Sequence, residues 1–281
     1  MATGQDTLFA RFLAPLFDHL LDREALQAYR QRFDWEQQCD RIANPKLTYP
    51  DYYRKAAFHG IEQGYLSADA AVTYDPITQY VLPPNETWVR QALIDKIQGQ
   101  PRRILDLGCG TGTTTRLLKQ AFPTAEVIGL DLSPHMLVVA DDKARQANLT
   151  ISWVHGNAEH TPFPTASFDL VTASLLFHET PTAVAQTILR EAFRLLRPSG
   201  EVAILDGNPE TLRTLPWLMD IFEEPYIQEF AQSTVAAWLG SAGFDHITSD
   251  TVWLINQVTH GLKPTPYSQD IPATDTLVAA T

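Results

Sequence analysis

Three glycines alternate in the stretch "LDLGCGTG". Gly108, Gly110 and Gly112 follow an apolar run that carries one acid, Asp106. Glycines this dense cost chain entropy, which is tolerable where the backbone must turn sharply or let a ligand lie against it. A second acid, Asp131, closes the next apolar run, "VIGLD", 19 residues after Gly112. An acid at the tip of a neighbouring strand can accept hydrogen bonds from both hydroxyls of a ribose. The loop and the acid together point to a ligand with a nucleoside part. A dinucleotide fingerprint would place a third glycine where Thr113 stands. That departure disfavours a nicotinamide dehydrogenase.

A second set of reactive residues lies downstream. "ASLLFHET" brings Ser174, His178 and Glu179 to the end of an apolar run, and "LDGNPE" brings Asp206, Asn208 and Glu210 to the end of the next. In open α/β sheets ligands sit beyond the carboxyl ends of the strands, so both stretches fall near a crevice. Histidine titrates at about 6.5 unperturbed, which makes His178 the first candidate for a general base. Asp206 is expected to orient an acceptor or take its proton. His155 and His160 are five apart with no cysteine nearby, a pattern that argues against a metal site. Six tyrosines fall between positions 49 and 80: Tyr49, Tyr52, Tyr53, Tyr65, Tyr74 and Tyr80. Most are expected in a core. One or two, Tyr74 first, are expected to line the pocket, where an aromatic face attracts a cation or stacks on a planar molecule. His59 and Asn208 are placed with Tyr74 on the acceptor side.

The elements that position these residues follow from periodicity. From Arg102 onward, short apolar runs alternate with amphipathic helical patterns, which indicates a mainly parallel sheet with helices on both faces. "DHITSDTVWLINQVTHG" reads as two strands with a short break, an antiparallel pair at the sheet edge. Residues 1–85 read as a helical cap or lid over the crevice, with Gly60 and Gly64 as hinges. Residues 86–262 form the ligand-binding domain, and 263–281 a loose tail.

The bulk numbers narrow the partners. Thirty-three acids against 21 Lys and Arg, in 281 residues, give a net charge of −12. Nucleic-acid binding needs a basic footprint, so nucleic acid is not expected as a partner. Two cysteines, Cys39 and Cys109, suggest no disulfide framework and fit a reducing cytoplasm. No apolar run approaches the ~20 residues of a membrane-spanning helix. The first 21 residues show no basic leader and read as a helix packed on its own protein. A homodimer is compatible with all of this.

The G-x-G-x-G spacing after "LDLGC", followed by Asp131 in "VIGLDLSP", resembles the class I S-adenosylmethionine-dependent methyltransferases. "NAEHTPFPTASFDLVTAS", "REAFRLLRPSGEVAILD" and "WLGSAGF" match later segments of that family in order, over about residues 74–258. "YDPITQYVLPPNETWVR" resembles the entry helix of the branch that includes the ubiquinone and menaquinone C-methyltransferases. The resemblance implies a Rossmann-like, doubly wound, seven-stranded sheet with an antiparallel edge strand. It implies S-adenosylmethionine as cofactor and a small, apolar or aromatic acceptor. It also implies cofactor contacts at Asp106, Gly108, Gly110, Gly112, Asp131, Leu132, Asn157, Ala158 and Ser174. Asn157 stands where the family usually has Asp, and Ser199 where the usual turn is Pro-Gly-Gly. A non-catalytic protein that binds the cofactor as a signal or scaffold is the alternative these motifs leave open.

Overall fold

The computed structural model describes residues 21–265, apart from 57, 59–63, 82–83, 218 and 220–223. His59 and Gly60, the first 20 residues and the tail beyond 265 lie outside the described residues.

Seven strands form one sheet: β1 Arg103–Leu107, β2 Glu126–Asp131, β3 Ser152–His155, β4 Phe168–Ser174, β5 Leu196–Gly207, β6 Asp245–Val252 and β7 Asn256–Leu262. Their spatial order is β3-β2-β1-β4-β5-β7-β6. The first five pair in parallel, and β7 runs antiparallel to both β5 and β6. The antiparallel hairpin at the edge is the one expected from the sequence. The strand order reverses between β1 and β4, and such a switch point opens a crevice above the strand ends. The central strands are covered on both faces, so they are apolar almost throughout: Ile104, Leu105 and Leu107 are all buried.

Helices flank the sheet. Below the crevice, α5 (Glu86–Lys96) and α6 (Thr113–Ala121) pack on one face, where Val89, Leu93 and Leu118 meet Ile104, Val127 and Leu205. On the other face, α8 (Thr182–Leu195) and α11 (Val235–Ala242) bury Ile188, Leu189, Trp238 and Leu239 against Leu105, Val171 and Ile204. Helix α7 (Pro134–Gln146) starts where chemistry requires it. Ser133 accepts from the Met136 N–H, and Pro134 occupies the first turn, whose N–H would be unpaired anyway. Two short helices, α9 (Pro209–Thr214) and α10 (Ile227–Ala231), follow β5.

The leading segment forms α1 (Arg23–Gln31), α2 (Trp35–Ile42), α3 (Asp51–Lys55) and α4 (Ala68–Val81). Helices α1 and α2 have no fully buried residue. The apolar cluster of this segment, built on Tyr53, Phe58, Tyr65, Ala70 and Ala71, is completed by Met136 and Val139 of α7. Polar ties add register. The Asn44 N–H donates to His155 Nδ1 (2.8 Å), the Tyr29 hydroxyl to Asp142 (3.0 Å), and the Ser133 hydroxyl to the Tyr65 carbonyl (2.6 Å). Asp75 of α4 accepts from the hydroxyl of Thr111 in the glycine loop and from Lys143 of α7.

Candidate functional site

The floor of the crevice is backbone. All three loop glycines have positive φ: 63° at Gly108, 51° at Gly110 and 74° at Gly112. A Cβ at Gly108 would lie 2.7 Å from Leu176 Cδ1, and one at Gly112 would lie 2.6 Å from the Trp153 ring. Those two glycines serve close packing. A Cβ at Gly110 would meet nothing within 4 Å among the described residues. Gly110 lines the crevice and leaves room for a ligand against its backbone. Gly112 does not line it, and instead caps α6.

Asp131 ends β2 and faces the same space. Its Oδ2 accepts from the Gly110 N–H and its Oδ1 from the Ser133 N–H, both at 2.8 Å. Burial pushes its carboxyl up to about 6, against the downward pull of those two N–H groups. Leu132, Asn157, Ala158 and Ser174 line the crevice around it. Asn157 is braced by its own loop: Oδ1 accepts from the Glu159 N–H at 2.8 Å. The Ser174 hydroxyl is buried with no hydrogen-bond partner among the described residues, a polar atom left for a ligand. An open cradle at Gly110, a carboxylate and an orphaned hydroxyl fit a nucleoside with a polar tail.

Asp106 is placed differently from the sequence expectation. It is 1% exposed and does not line the crevice. Its oxygens accept from the hydroxyls of Thr115 (2.6 Å) and Thr172 (2.8 Å), tying β1 to α6 and β4. Burial raises its carboxyl to about 6 despite both bonds.

The roof is aromatic. Tyr52, Tyr53, Phe58, Tyr65 and Tyr74 line the crevice from the cap side, so four of the six tyrosines reach it. Phe58 and Tyr65 stack with centroids 5.6 Å apart, and Tyr74 meets the Tyr65 ring edge-on at 5.7 Å. Burial raises the phenols of Tyr53, Tyr65 and Tyr74 above the ordinary tyrosine range. Tyr49 instead bonds His155, outside the crevice wall (3.3 Å).

The turn after β4 carries His178, and the end of β5 carries Asp206. The His178 Nδ1 lies 2.6 Å from Asp206 Oδ1. Asp206 is fully buried and also accepts from the Phe177 and Gly207 N–H groups, each at 2.8 Å. Burial alone would lower the His178 pKa, but the charge and hydrogen bond of Asp206 more than offset it, raising it to about 9. The imidazole is therefore protonated at neutral pH, and its side chain is not part of the crevice wall. Both groups were expected to face an acceptor, and the structure instead pairs them with each other, off the crevice wall. His178 Nδ1 is taken up by Asp206, and Asp206 is fully buried beneath the turn. Asn208 is a helix cap: Oδ1 accepts from the Glu210 and Thr211 N–H groups, and Nδ2 donates to Thr251. It too is absent from the wall. Glu179, which the sequence places near the crevice without a role, lines it and accepts from the Tyr65 hydroxyl at 2.6 Å.

Comparison with known proteins agrees with this architecture. Residues 104–200 match the family model described as a methyltransferase domain. The 2-phytyl-1,4-naphtoquinone methyltransferase of Synechococcus elongatus is 33% identical over 163 residues, 57% of this chain and 67% of that protein. The demethylmenaquinone methyltransferase of Thermus thermophilus is 37% identical over 122 residues, 43% of this chain and 54% of that one. The chain spans about half the length of the demethylmenaquinone methyltransferases it matches. A crystal structure of a SAM-dependent methyltransferase from Aquifex aeolicus shares the fold, with a TM-score of 0.55 and 19% identity over 70% of this chain and 98% of that one. The chain belongs to the class I S-adenosylmethionine-dependent methyltransferases. Within that class, its sequence is similar to the quinone methyltransferases.

Proposed function

We propose that the protein transfers a methyl group from S-adenosylmethionine to a small, planar, aromatic acceptor of the quinol type. The observation that carries this reading is the junction of two walls in one crevice: a glycine loop with Asp131 below, and four tyrosines and Phe58 above. The names of the relatives above support a naphthoquinone-like acceptor. Asp131 would hold the ribose hydroxyls, the backbone at Gly108 and Gly110 the amino-acid part, and Asn157 and Ala158 the adenine. The bound cofactor supplies an electrophilic methyl on a sulfonium. The residues of this chain align the acceptor, exclude water and handle its proton. The cap closes the crevice and stacks rings beside the reacting atoms. A cytoplasmic setting is supported by two unpaired cysteines, Cys39 and Cys109. No helix among the described residues is long and apolar enough to cross a membrane.

The direct test incubates the full chain with S-adenosylmethionine and 1,4-naphthohydroquinone kept reduced by dithionite. S-adenosylhomocysteine and a methylated naphthol or naphthohydroquinone are expected in equal amounts. Binding of the cofactor without any methylated product would overturn the acceptor reading.

A further inference from the structure

We infer that Glu179, rather than His178, takes the proton of the methyl acceptor, and that the acceptor carries an ionisable hydroxyl conjugated to the atom methylated. The inference rests on the methyl-transfer reading above. It begins with the groups that could serve. Among the described residues of the crevice wall, the side chains able to carry a negative charge are four tyrosines, Asp131 and Glu179. Burial raises the tyrosine phenols, so none is a phenolate at neutral pH. Asp131 accepts from two backbone N–H groups on the cofactor side. His178 is held as an imidazolium by Asp206, and Asp206 itself is fully buried. Glu179 remains, on the acceptor side and beneath the rings of the cap.

Its setting suits the task. The Tyr65 hydroxyl donates to Oε1 at 2.6 Å, and His178 Nε2 lies 4.0 Å from the same oxygen. A hydroxyl and a cation thus orient the carboxylate, while Asp206 fixes the cation. A planar acceptor stacked under Tyr65 and Tyr74 presents its edge to Glu179. The proton of the acceptor O–H passes to a Glu179 oxygen. The electron pair left behind, on oxygen or delocalised onto the conjugated ring carbon, forms the bond to the methyl carbon. The pair of the broken S–CH3 bond stays on sulfur. A carboxylate and a sulfonium become a carboxylic acid and a thioether, and the acceptor stays neutral. Where carbon is methylated, its ring hydrogen then moves to the oxygen and restores the hydroxyl. Among the described residues, the groups facing Glu179 include the phenols of Tyr53, Tyr65 and Tyr74 from the cap, Asp131 from β2, and His178 on its own turn. Glu224, ahead of α10, faces Tyr65 and His178.

The test compares wild type, Glu179→Gln, Glu179→Asp and Tyr65→Phe with the reduced naphthohydroquinone as probe. Calorimetry measures the affinity of each for S-adenosylmethionine and S-adenosylhomocysteine. Glu179→Gln is expected to lower kcat by about 10²–10⁴, the range for a lost general base. Its KM for the hydroquinone and both cofactor affinities should stay within about threefold of wild type at that magnitude of loss in kcat. Glu179→Asp should recover part of the rate, and Tyr65→Phe should cost less than Glu179→Gln. A kcat within tenfold of wild type in Glu179→Gln overturns the inference alone. So does a loss of S-adenosylmethionine affinity with S-adenosylhomocysteine affinity kept, because Glu179 would then be pairing the sulfonium. Should Glu179→Gln bind neither ligand, Glu179→Asp decides: a kcat equal to that of wild type, with the carboxylate drawn back by one methylene, overturns the proton role. A wild type that binds cofactor but never methylates the probe overturns the acceptor reading first.

Discussion

Asp131 and Glu179 are two carboxylates that line one crevice, and they are held in different ways. Asp131 ends a central strand and is fixed by backbone N–H groups of Gly110 and Ser133. Glu179 sits on a short turn and is fixed by side chains, the Tyr65 hydroxyl from the cap and the His178 imidazolium. The floor therefore depends on the path of the main chain through β1, β2 and the glycine loop. The roof depends on which side chains the cap brings down. A wall made of backbone suits a cofactor shared by a whole class. A wall made of side chains can be rebuilt for a new acceptor while the sheet stays as it is.

One buried ion pair joins the two walls, and breaking it should give the largest effect. Arg90 and Glu86 of α5 lie 2.7 Å apart with side chains 6% and 8% exposed. Glu86 also accepts from Thr78 of the cap helix α4, and Arg90 donates to Thr114 of α6 below the loop. Glu86→Gln leaves the guanidinium buried without its counter-charge. Losing one partner of such a pair costs about 3–5 kcal/mol, so urea unfolding should show a drop of that order. A loss below about 1 kcal/mol, the scale of an exposed pair, would mean that this pair adds little to the other ties between the walls.

A smaller effect should separate the walls by pH. Asp131 titrates near 6 because burial penalises its charge. A ribose hydroxyl donates to the ionised form, so cofactor affinity should be flat above pH 7. It should weaken as pH falls through about 6, by up to about tenfold per pH unit, as expected when binding requires loss of one proton. Asp106 titrates in the same range, so the Asp131→Asn variant is the control. That variant should bind more weakly at pH 8 and lose the slope. The slope surviving in Asp131→Asn would assign it to Asp106. His178 behaves in the opposite sense. Its folded pKa of about 9 lies above the usual value, so its contribution to stability is complete below about 6.5 and fades as pH rises through 9.

The sheet and the floor were legible because their signals are local. Strand and helix periods alternate from Arg102 onward, and the glycine spacing with Asp131 lies within a few dozen residues. Asp106 is turned away from the crevice wall for a reason the sequence does not carry. In a strand buried on both faces, sequence does not say which way an acid points. Its partners Thr115 and Thr172 come from a helix and another strand. Asn208 did carry a signal, since Asn-Pro-Glu is the pattern of a helix start, with the asparagine as cap and proline in the first turn. His178 was chosen on its ordinary pKa, and the fully buried Asp206 beside it is a tertiary fact. The density of tyrosines showed that the cap was aromatic. How many rings reach the crevice depends on the packing of the cap on α7.

On the proposed reading, the floor binds the cofactor and the roof selects the acceptor. Calorimetric titration of S-adenosylmethionine into wild type, Asp131→Ala and Tyr74→Ala tests it most directly. Asp131→Ala should lose two charge-assisted hydrogen bonds, about 2–4 kcal/mol, or roughly 30–1,000-fold in Kd. Tyr74→Ala should keep Kd within about threefold, or ~0.6 kcal/mol, while methylation of naphthohydroquinone collapses. Equal losses of cofactor affinity in the two variants, or an unchanged Kd in Asp131→Ala, would contradict the account.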